Sequence, residues 1–172
     1  MKRGLKCFAL MAAVLLLFVV GCQKAQEKAA EKSAEKTIEK QTGKKTKVDI
    51  NEQKTTIEQK GMKAEIAHKG SVSLPEDFPK DVYIYPGSRV VMSFTTKEGT
   101  SVTLGTNDDL ASVASKYASE MANKGWSKEG SMAAQEMRIM GFAKGNRKVT
   151  VQIMPGSDED KTLISIASQT EE

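Results

Sequence analysis

The stretch that decides the fold begins at Arg89 and ends at Trp126, and it reads RVVMSFTTKEGTSVTLGTNDDLASVASKYASEMANKGW. Its first part, up to Thr96, is rich in β-branched and apolar residues. The turn at residues 97–99 separates it from a second such run, at residues 101–105. Two β-rich runs joined by a short turn that contains glycine predict a β-hairpin.

A helix is predicted directly after this hairpin. Its apolar side chains recur at helical spacing, at Leu110, Val113, Ala114, Tyr117 and Met121. Thr106 is positioned to cap the first turn, with Asp109 three residues later in the capping-box position. Gly125 favours a left-handed end to the helix, and Trp126 is then able to pack back on Met121.

Three more strands are predicted after the helix: one within residues 132–143, one at Arg147 to Met154, and one at Thr162 to Ala167. The order is ββαβββ over residues 71–172. It predicts an α+β fold, a two-layer domain in which a mainly antiparallel sheet carries one helix on one face. The other sheet face is then either solvated or a binding surface.

Two shorter sections precede this domain. Alternating residues at 47–70 predict short β strands that form a small meander, which is either docked on the main domain or disordered. Residues 22–46 form a charged tether with a four-residue Glu-Lys repeat at Glu27, Glu31, Glu35 and Glu39. We expect a semi-rigid helical or disordered spacer that breaks near Gly43 and, as a flexible coil, spans ~25–30 Å.

Residues 1–21 have the features of a secretory signal peptide. A basic start is followed by an apolar run, Cys7 to Val20, which is shorter than the ~20 residues of a membrane-spanning helix. The residues Val19-Val20-Gly21-Cys22 resemble the lipobox of bacterial lipoproteins. The resemblance implies cleavage between Gly21 and Cys22 and acylation of Cys22, which anchors the chain to a membrane. Because Gln23 stands where Asp favours inner-membrane retention, it implies the outer membrane, facing the periplasm, in a bacterium with two membranes.

A second resemblance lies in a proline-rich segment. The pattern Leu74-Pro-x-x-Phe78-Pro-x-Asp81-Val82, followed by Tyr-Pro-Gly at residues 85–87, is similar to a segment of bacterial envelope lipoproteins. The resemblance covers about residues 47–168 and implies the fold described above but no activity. The chain departs from the pattern at Tyr83, where Pro is common. The prolines predict an extended, irregular segment pinned by Leu74, Phe78 and Val82.

Cysteine content and charge exclude several classes of function. Of two cysteines, Cys7 leaves with the signal peptide and Cys22 is consumed by lipid, so the mature chain is expected to have no disulfide, thiol catalysis, thiolate zinc site or iron–sulfur cluster. The formal net charge is +4, but the residues from Ser71 onward carry eleven basic against fourteen acidic side chains. No nucleic-acid partner is expected, because such binding requires a dense basic face.

The side chains with chemical potential each have a simpler interpretation. His68 is the single histidine and has no evident catalytic or metal-binding companion, so it is expected in an exposed loop. The acidic groups at 158–160 and at Glu76, Asp77 and Asp81 are expected to be solvated. Four methionines, Met132, Met137, Met140 and Met154, offer soft ligands for copper. Methionine is more often a flexible core filler.

These observations lead to a hypothesis about function. We expect a membrane-anchored envelope lipoprotein with a non-enzymatic binding or assembly module, without a cofactor, a resident metal or catalytic residues. Its partners would be the membrane, through the lipid on Cys22, and an envelope protein or a cell-wall component. Tyr83, Tyr85 and Trp126 are the candidate contact residues. The alternative is a small-ligand or metal module, copper among the metals, on the open sheet face.

Overall fold

The computed structural model describes residues 24–170, so the signal peptide, Gly21 and Cys22 lie outside the described residues. Within these described residues, the fold consists of two helices and nine strands. In chain order they are α1 (Lys24–Thr42), β1 (Thr46–Ile50), β2 (Lys54–Gln59), β3 (Met62–Ala67), β4 (Arg89–Thr96), β5 (Gly99–Thr106), α2 (Leu110–Asn123), β6 (Ser127–Ala134), β7 (Met137–Lys144), β8 (Arg147–Pro155) and β9 (Thr162–Thr170). Between Lys24 and Thr170, neither helix combines the length and the apolar character that a membrane crossing requires.

All nine strands belong to one antiparallel sheet. Their order across the sheet is β1-β2-β3-β4-β5-β9-β8-β7-β6. The last strand of the chain, β9, therefore lies in the centre, between β5 and β8. The two edges are β1 and β6, so the first and the sixth strands are the ones that have a single neighbouring strand.

The predicted two-layer ββαβββ domain with a separate meander is wrong. The three short strands at residues 46–67 continue the main sheet, because β3 pairs with β4 from Met62↔Thr96 to Ile66↔Met92. Four strands follow α2 rather than three. The missed strand, β6, is exposed along its whole length, so it lacks the alternation that marks a half-buried strand. The turn between β6 and β7 contains Gln135, at φ 47°, and lacks the glycine that usually indicates a hairpin turn in a sequence.

The register separates the sheet into two faces. On one face α2 covers a core that includes Val102, Leu104, Val151, Ile164 and Ile166, all at most 1% exposed. We call this side the covered face. The covering helix contributes Val113, Tyr117 and Met121, and the proline-rich segment adds Phe78 and Val82. Leu74, which was predicted to pin that segment, is instead 39% exposed.

The ends of α2 follow short-range rules, with one correction. Asp109 is itself the N-cap, and its Oδ1 accepts the backbone N–H of Ser112 at 2.9 Å, so the predicted cap at Thr106 is wrong. The predicted C-terminal end is confirmed. Gly125 has φ +79°, its N–H donates to the Ala122 carbonyl, and the N–H of Trp126 donates to the Met121 carbonyl at 3.0 Å. These two bonds are those of a Schellman motif.

Helix α1 packs against the β1 edge, on the face opposite to α2. Ala34 and Ile38 are 4% and 5% exposed and contact Val48 and Ile57. The expected free spacer is therefore wrong for these residues, because the helix has a buried apolar side. Gly43 does end the helix, with φ +68°.

Candidate functional site

The sheet face opposite to α2 is the candidate functional surface, and we call its part from β4 to β6 the open face. The covered-face residue Val102 pairs with Ser93, so their neighbours Met92 and Phe94 point to the open face. The same register places five further large apolar residues there: Leu163, Met154, Ile139, Met137 and Met132. Met132 is 57% exposed, and the other six are half-buried.

The charged residues of the open face lie at its two ends, and its middle is neutral. Between its apolar residues lie Thr103, Ser165, Gln152 and Thr150, all neutral. Among the described strand residues that the register places on this side from β4 to β6, two are charged: Arg89, which pairs with Gly105 at the first residue of β4, and Lys148, at the opposite end of the sheet. Uncharged surfaces with methionine and aliphatic residues are typical of the centre of protein interfaces.

Two shallow depressions lie elsewhere, around the turn between β2 and β3. One, of about 450 Å³, is lined by polar residues that include Lys45, Lys47 and Lys60. The other, of about 570 Å³, is lined by Lys63, Asp77, Lys97 and their neighbours. Both are wide open to solvent. They resemble ordinary polar surface more than an enclosed ligand cavity.

Two of the predicted contact residues are buried. Tyr83 is 7% exposed and Trp126 is 2% exposed, because both pack in the core under α2. Tyr85 is half-buried, and its hydroxyl donates to the Asp108 carboxylate at 2.6 Å. This bond and partial burial raise the pKa of Tyr85 to about 12. In this structure the side chains of Tyr83 and Trp126 offer a partner little surface.

Trp126 belongs to a charged cluster that sequence reasoning missed. Its Nε1–H donates to the Asp81 carbonyl at 2.9 Å, and the Arg147 guanidinium lies 5.0 Å from the ring centre. The Asp81 carboxylate accepts two bonds from Arg147, at 2.7 and 2.8 Å, and one from Lys144 at 2.9 Å. Arg147, assisted by Lys144, holds the pKa of Asp81 far below its ordinary value. Asp81 is thus paired, contrary to the expected solvated loop.

A second charged cluster corrects the prediction for residues 158–160. Asp160 is 5% exposed and binds Arg89 through both of its carboxylate oxygens, the shortest contact being 2.6 Å. Arg89 also donates to Glu159 at 2.8 Å and to the Gly70 carbonyl at 2.9 Å. Gly105 leaves the space for the Asp160 carboxylate, since a Cβ there would overlap it. The acidic loop is therefore fixed to the sheet by ion pairs.

The methionines divide between the two faces. Met140 is 5% exposed in the core of the covered face, and Met132, Met137 and Met154 lie on the open face. Arg138 pairs with Ile153, so Met137 and Met154 are neighbours at one end of their strands. The amide of Gln152 contacts the Met137 sulfur at 2.9 Å. Three of the four predicted soft ligands thus share one surface.

The predicted loop histidine is half-buried, and its Nε2 lies 2.8 Å from the Thr55 hydroxyl. Across the described part of the chain, no three His, Cys, Asp or Glu side chains are grouped so that they could hold a metal ion. The open face was foreseen as a location, but its residues were not, because only the strand register shows which side chains share it. The two ion-pair clusters join residues 63 to 71 positions apart and give no local sequence signal.

The comparisons with known proteins add one finding. Residues 90–169 match a START domain-like family; these 80 residues are somewhat less than half of the 172-residue chain. No curated protein and no solved structure matches the chain. The matched segment runs from β4 to β9 and so contains α2 and the whole open face. The chain therefore contains a segment similar to START domain-like proteins, which is consistent with a ligand-binding module.

Proposed function

We propose that the chain is an acylated envelope lipoprotein whose folded part is a non-enzymatic binding or assembly module, with an envelope protein as its partner. The observation that supports this role best is the open face. It is a broad apolar surface on the segment similar to a binding family.

The chemistry of the open face favours a protein as the occupant. Seven large apolar side chains are spread over five strands and are interleaved with neutral hydroxyl and amide groups. A polyanionic wall component would require many cations, and the register places two on this side of these strands, Lys148 and Arg89, of which Arg89 is already paired with Asp160 and Glu159. Half-exposed methionine and aliphatic residues instead fit the desolvated centre of a protein interface.

The face also continues an interface that the chain already forms. Phe94 pairs with Ser101 on one side and with Ala64 on the other, and Ala64 packs on the cluster beneath α1. The apolar surface is thus buried under the helix at its β1 end and half-exposed beyond Phe94. A partner helix or strand would extend the same contact across the sheet.

The anchor is tested first. The mature protein is expected to carry acyl chains on Cys22 by mass spectrometry, and Cys22→Ser is expected to leave the membrane fraction. A native polypeptide without lipid, or a serine variant that stays in the membrane, would disprove the anchor.

The binding surface is tested with a photo-crosslinking amino acid placed at Met132 in intact cells. As a control, the same group is placed at Ser115, which is exposed on the outer side of α2. A defined protein adduct is expected from position 132 alone, and Leu163→Asp is expected to abolish it. Adducts of equal yield from both positions, or an adduct that is insensitive to Leu163→Asp, would contradict the proposal.

The second candidate is a small-ligand or copper module, and it is favoured by the grouping of Met132, Met137 and Met154 on one face. Thioether sulfur is a suitable ligand for Cu(I). Native mass spectrometry of the mature Cys22→Ser chain with Cu(I) tests it. One bound copper that is lost in Met137→Leu would support this function, and an unchanged apo mass would end it.

A further inference from the structure

Three glutamates of α1 bind the backbone of the edge strand β1. The Oε1 atoms of Glu31, Glu35 and Glu39 accept the N–H groups of Ile50, Val48 and Thr46 at 2.9, 3.0 and 3.1 Å. We call these three hydrogen bonds the glutamate clamp. The N–H groups along the outer side of an edge strand have no partner strand. The carboxylates of α1 supply the missing acceptors.

The four-residue repeat of α1 matches the two-residue repeat of β1. Four residues of an α-helix rise about 6.0 Å, and two residues of a strand rise about 6.6–6.8 Å. The mismatch is below about 1 Å per step, which flexible glutamate side chains can absorb. The helix must also run opposite to the strand, because Glu31 faces Ile50 and Glu39 faces Thr46.

Apolar contacts fix the helix in the same position. Ala34 and Ile38 face Val48 and Ile57 on the inner side of α1, and each of the four is at most 5% exposed. The lysines of the repeat, Lys28, Lys32 and Lys36, are exposed on the outer side. The helix therefore has two different sides. Its carboxylates and apolar residues contact β1, and its lysines are solvated.

This attachment determines where the first described residue of α1, Lys24, lies. Glu31 is level with Ile50, and Lys24 is seven residues earlier, which is about 10 Å farther along the helix axis. Cys22 is two residues before Lys24, and two residues reach at most about 7 Å. Lys24 thus lies beyond the Ile50 end of the sheet, and a chain of two residues can place the residue proposed to carry lipid at most about 17 Å from the level of Ile50. A free coil of the same residues would span ~25–30 Å in any direction.

We propose that the docked α1 holds the Ile50 end of the sheet against the surface of a lipid bilayer, so that the domain stands on the membrane with its strands pointing away from it. This inference rests on the proposed acylation of Cys22. The turn at residues 51–53 lies at this end, next to β1, and faces the headgroups; by register, the loops at residues 107–109 and 156–161 are at the same end of their strands. The turns at Lys60 and Lys97 lie at the opposite end.

The membrane contact is imposed by the clamp and not by charge. The loops at the Ile50 end carry Asp108, Asp109, Asp158 and Glu159, which anionic headgroups would repel. A zwitterionic surface is therefore the bilayer that this end tolerates best. The open face is then perpendicular to the plane of the membrane, where a partner anchored in the same bilayer can reach it.

Two turns of neighbouring hairpins provide matched probe positions. Glu52 and Lys60 are both exposed, and they flank β2 at its two ends. The two residues are eight positions apart, with the six residues of β2 between them, so at most about 26 Å separates them. Each is replaced by cysteine in the acylated protein, in which lipid occupies Cys22, and is labelled with a fluorophore. The protein is then reconstituted into phosphatidylcholine vesicles whose headgroups carry a spin-label quencher.

The label at position 52 is expected to be quenched severalfold more than the label at position 60. Equal quenching of the two labels, stronger quenching at position 60, or no quenching at either would overturn the inference for a protein that carries its lipid. A protein without lipid by mass would instead overturn the proposed anchor, so the two failures are distinguishable.

The role of the clamp is tested with the triple change Glu31→Ala, Glu35→Ala and Glu39→Ala. Its matched control is Lys28→Ala, Lys32→Ala and Lys36→Ala, which removes three charges from the solvated side of the same helix. The glutamate variant is expected to lose the difference between the two labels, and the lysine variant to keep it. A glutamate variant that retains the full difference would show that the clamp does not orient the domain.

Discussion

The Glu35 carboxylate accepts the backbone N–H of Val48 at 3.0 Å, across thirteen positions of the chain. With the matching bonds of Glu31 and Glu39, it converts a charged repeat into a cover for a strand edge. Such covering is one way in which sheets avoid pairing with other chains. The opposite edge, β6, is exposed along its whole length and instead has a β-bulge between Lys128 and Gly130 and charged residues.

Loss of one clamp bond is expected to expose the edge of β1. In Glu35→Ala, the Val48 amide should exchange its hydrogen faster, and the free energy of unfolding should fall by about 1 kcal/mol, the typical contribution of one such bond. Hydrogen exchange monitored by NMR measures the first effect, and urea unfolding measures the second.

Glu27→Ala provides the control for this experiment, because Glu27 belongs to the same repeat but its carboxylate does not bind β1 in the described part of the chain. Exchange at Val48 should be unchanged in this variant. Equal acceleration in Glu27→Ala and Glu35→Ala would mean that helix propensity, and not the hydrogen bond, protects the strand.

Local patterns predicted the elements whose signals lie within a few residues. The helix ending at Gly125 and Trp126 followed from spacing and from one glycine, and the strands with alternating residues, such as β8, were located correctly. Strand β6 was missed because none of its side chains is buried, so it has no periodic signal. Its place in the sheet is determined by pairing with β7.

The sheet order and the paired charges could not be predicted from local patterns. The central position of β9 depends on its pairing with β5, about sixty residues earlier, and the Arg89–Asp160 pair spans 71 positions. The glutamate clamp could not be predicted from the sequence either. A Glu-Lys repeat has the same composition whether it is solvated or bound, and the buried pair Ala34 and Ile38 was its one apolar signal.

Acid is expected to destabilise the protein through Asp81. Arg147 first and then Lys144 hold the pKa of this carboxyl far below its ordinary value. Its contribution to stability is thus present above the unfolded pKa of about 3.9 and is lost as pH falls toward the folded pKa. Urea midpoints should decrease below about pH 4, and less steeply in Asp81→Asn. Asp77→Asn, at an exposed residue, is the control. Parallel pH profiles of wild type and Asp81→Asn would contradict this assignment.

Gly105 and Asp160 are expected to be energetically coupled. A Cβ at position 105 would overlap the Asp160 carboxylate, so Gly105→Ala must displace it from Arg89. In a double-mutant cycle, Gly105→Ala should therefore cost less in an Asp160→Ala background, with a coupling of about 1–3 kcal/mol. Gly141→Ala has open space around its Cβ and should show no coupling. Additive costs at positions 105 and 160 would disprove the steric relationship.

The two faces of β9 are expected to respond differently to truncation. Ile164 is fully buried under α2, and its neighbour Leu163 is half-buried on the open face. Ile164→Ala should lower the free energy of unfolding by about 2–5 kcal/mol. Leu163→Ala should cost much less, because part of its side chain is solvated in the folded protein. Urea unfolding of the two variants measures the difference, and equal losses would mean that the open face is covered in solution.

The phenol groups are expected to resist ionisation while the protein is folded. The chain has three tyrosines: the bond to Asp108 raises the pKa of Tyr85 to about 12, and burial raises the pKa of Tyr83 and Tyr117 above its ordinary value. A raised pKa favours the neutral form, so the stability from this effect is complete below about pH 10 and is lost as pH rises through the folded pKa values. Tyrosinate absorbance at about pH 10.5 should be low in the folded protein and high in urea. Asp108→Asn should lower the pKa of Tyr85 toward its ordinary value of about 10. If all three tyrosines titrated together near pH 10 in the folded protein, the packing of this cluster would be contradicted.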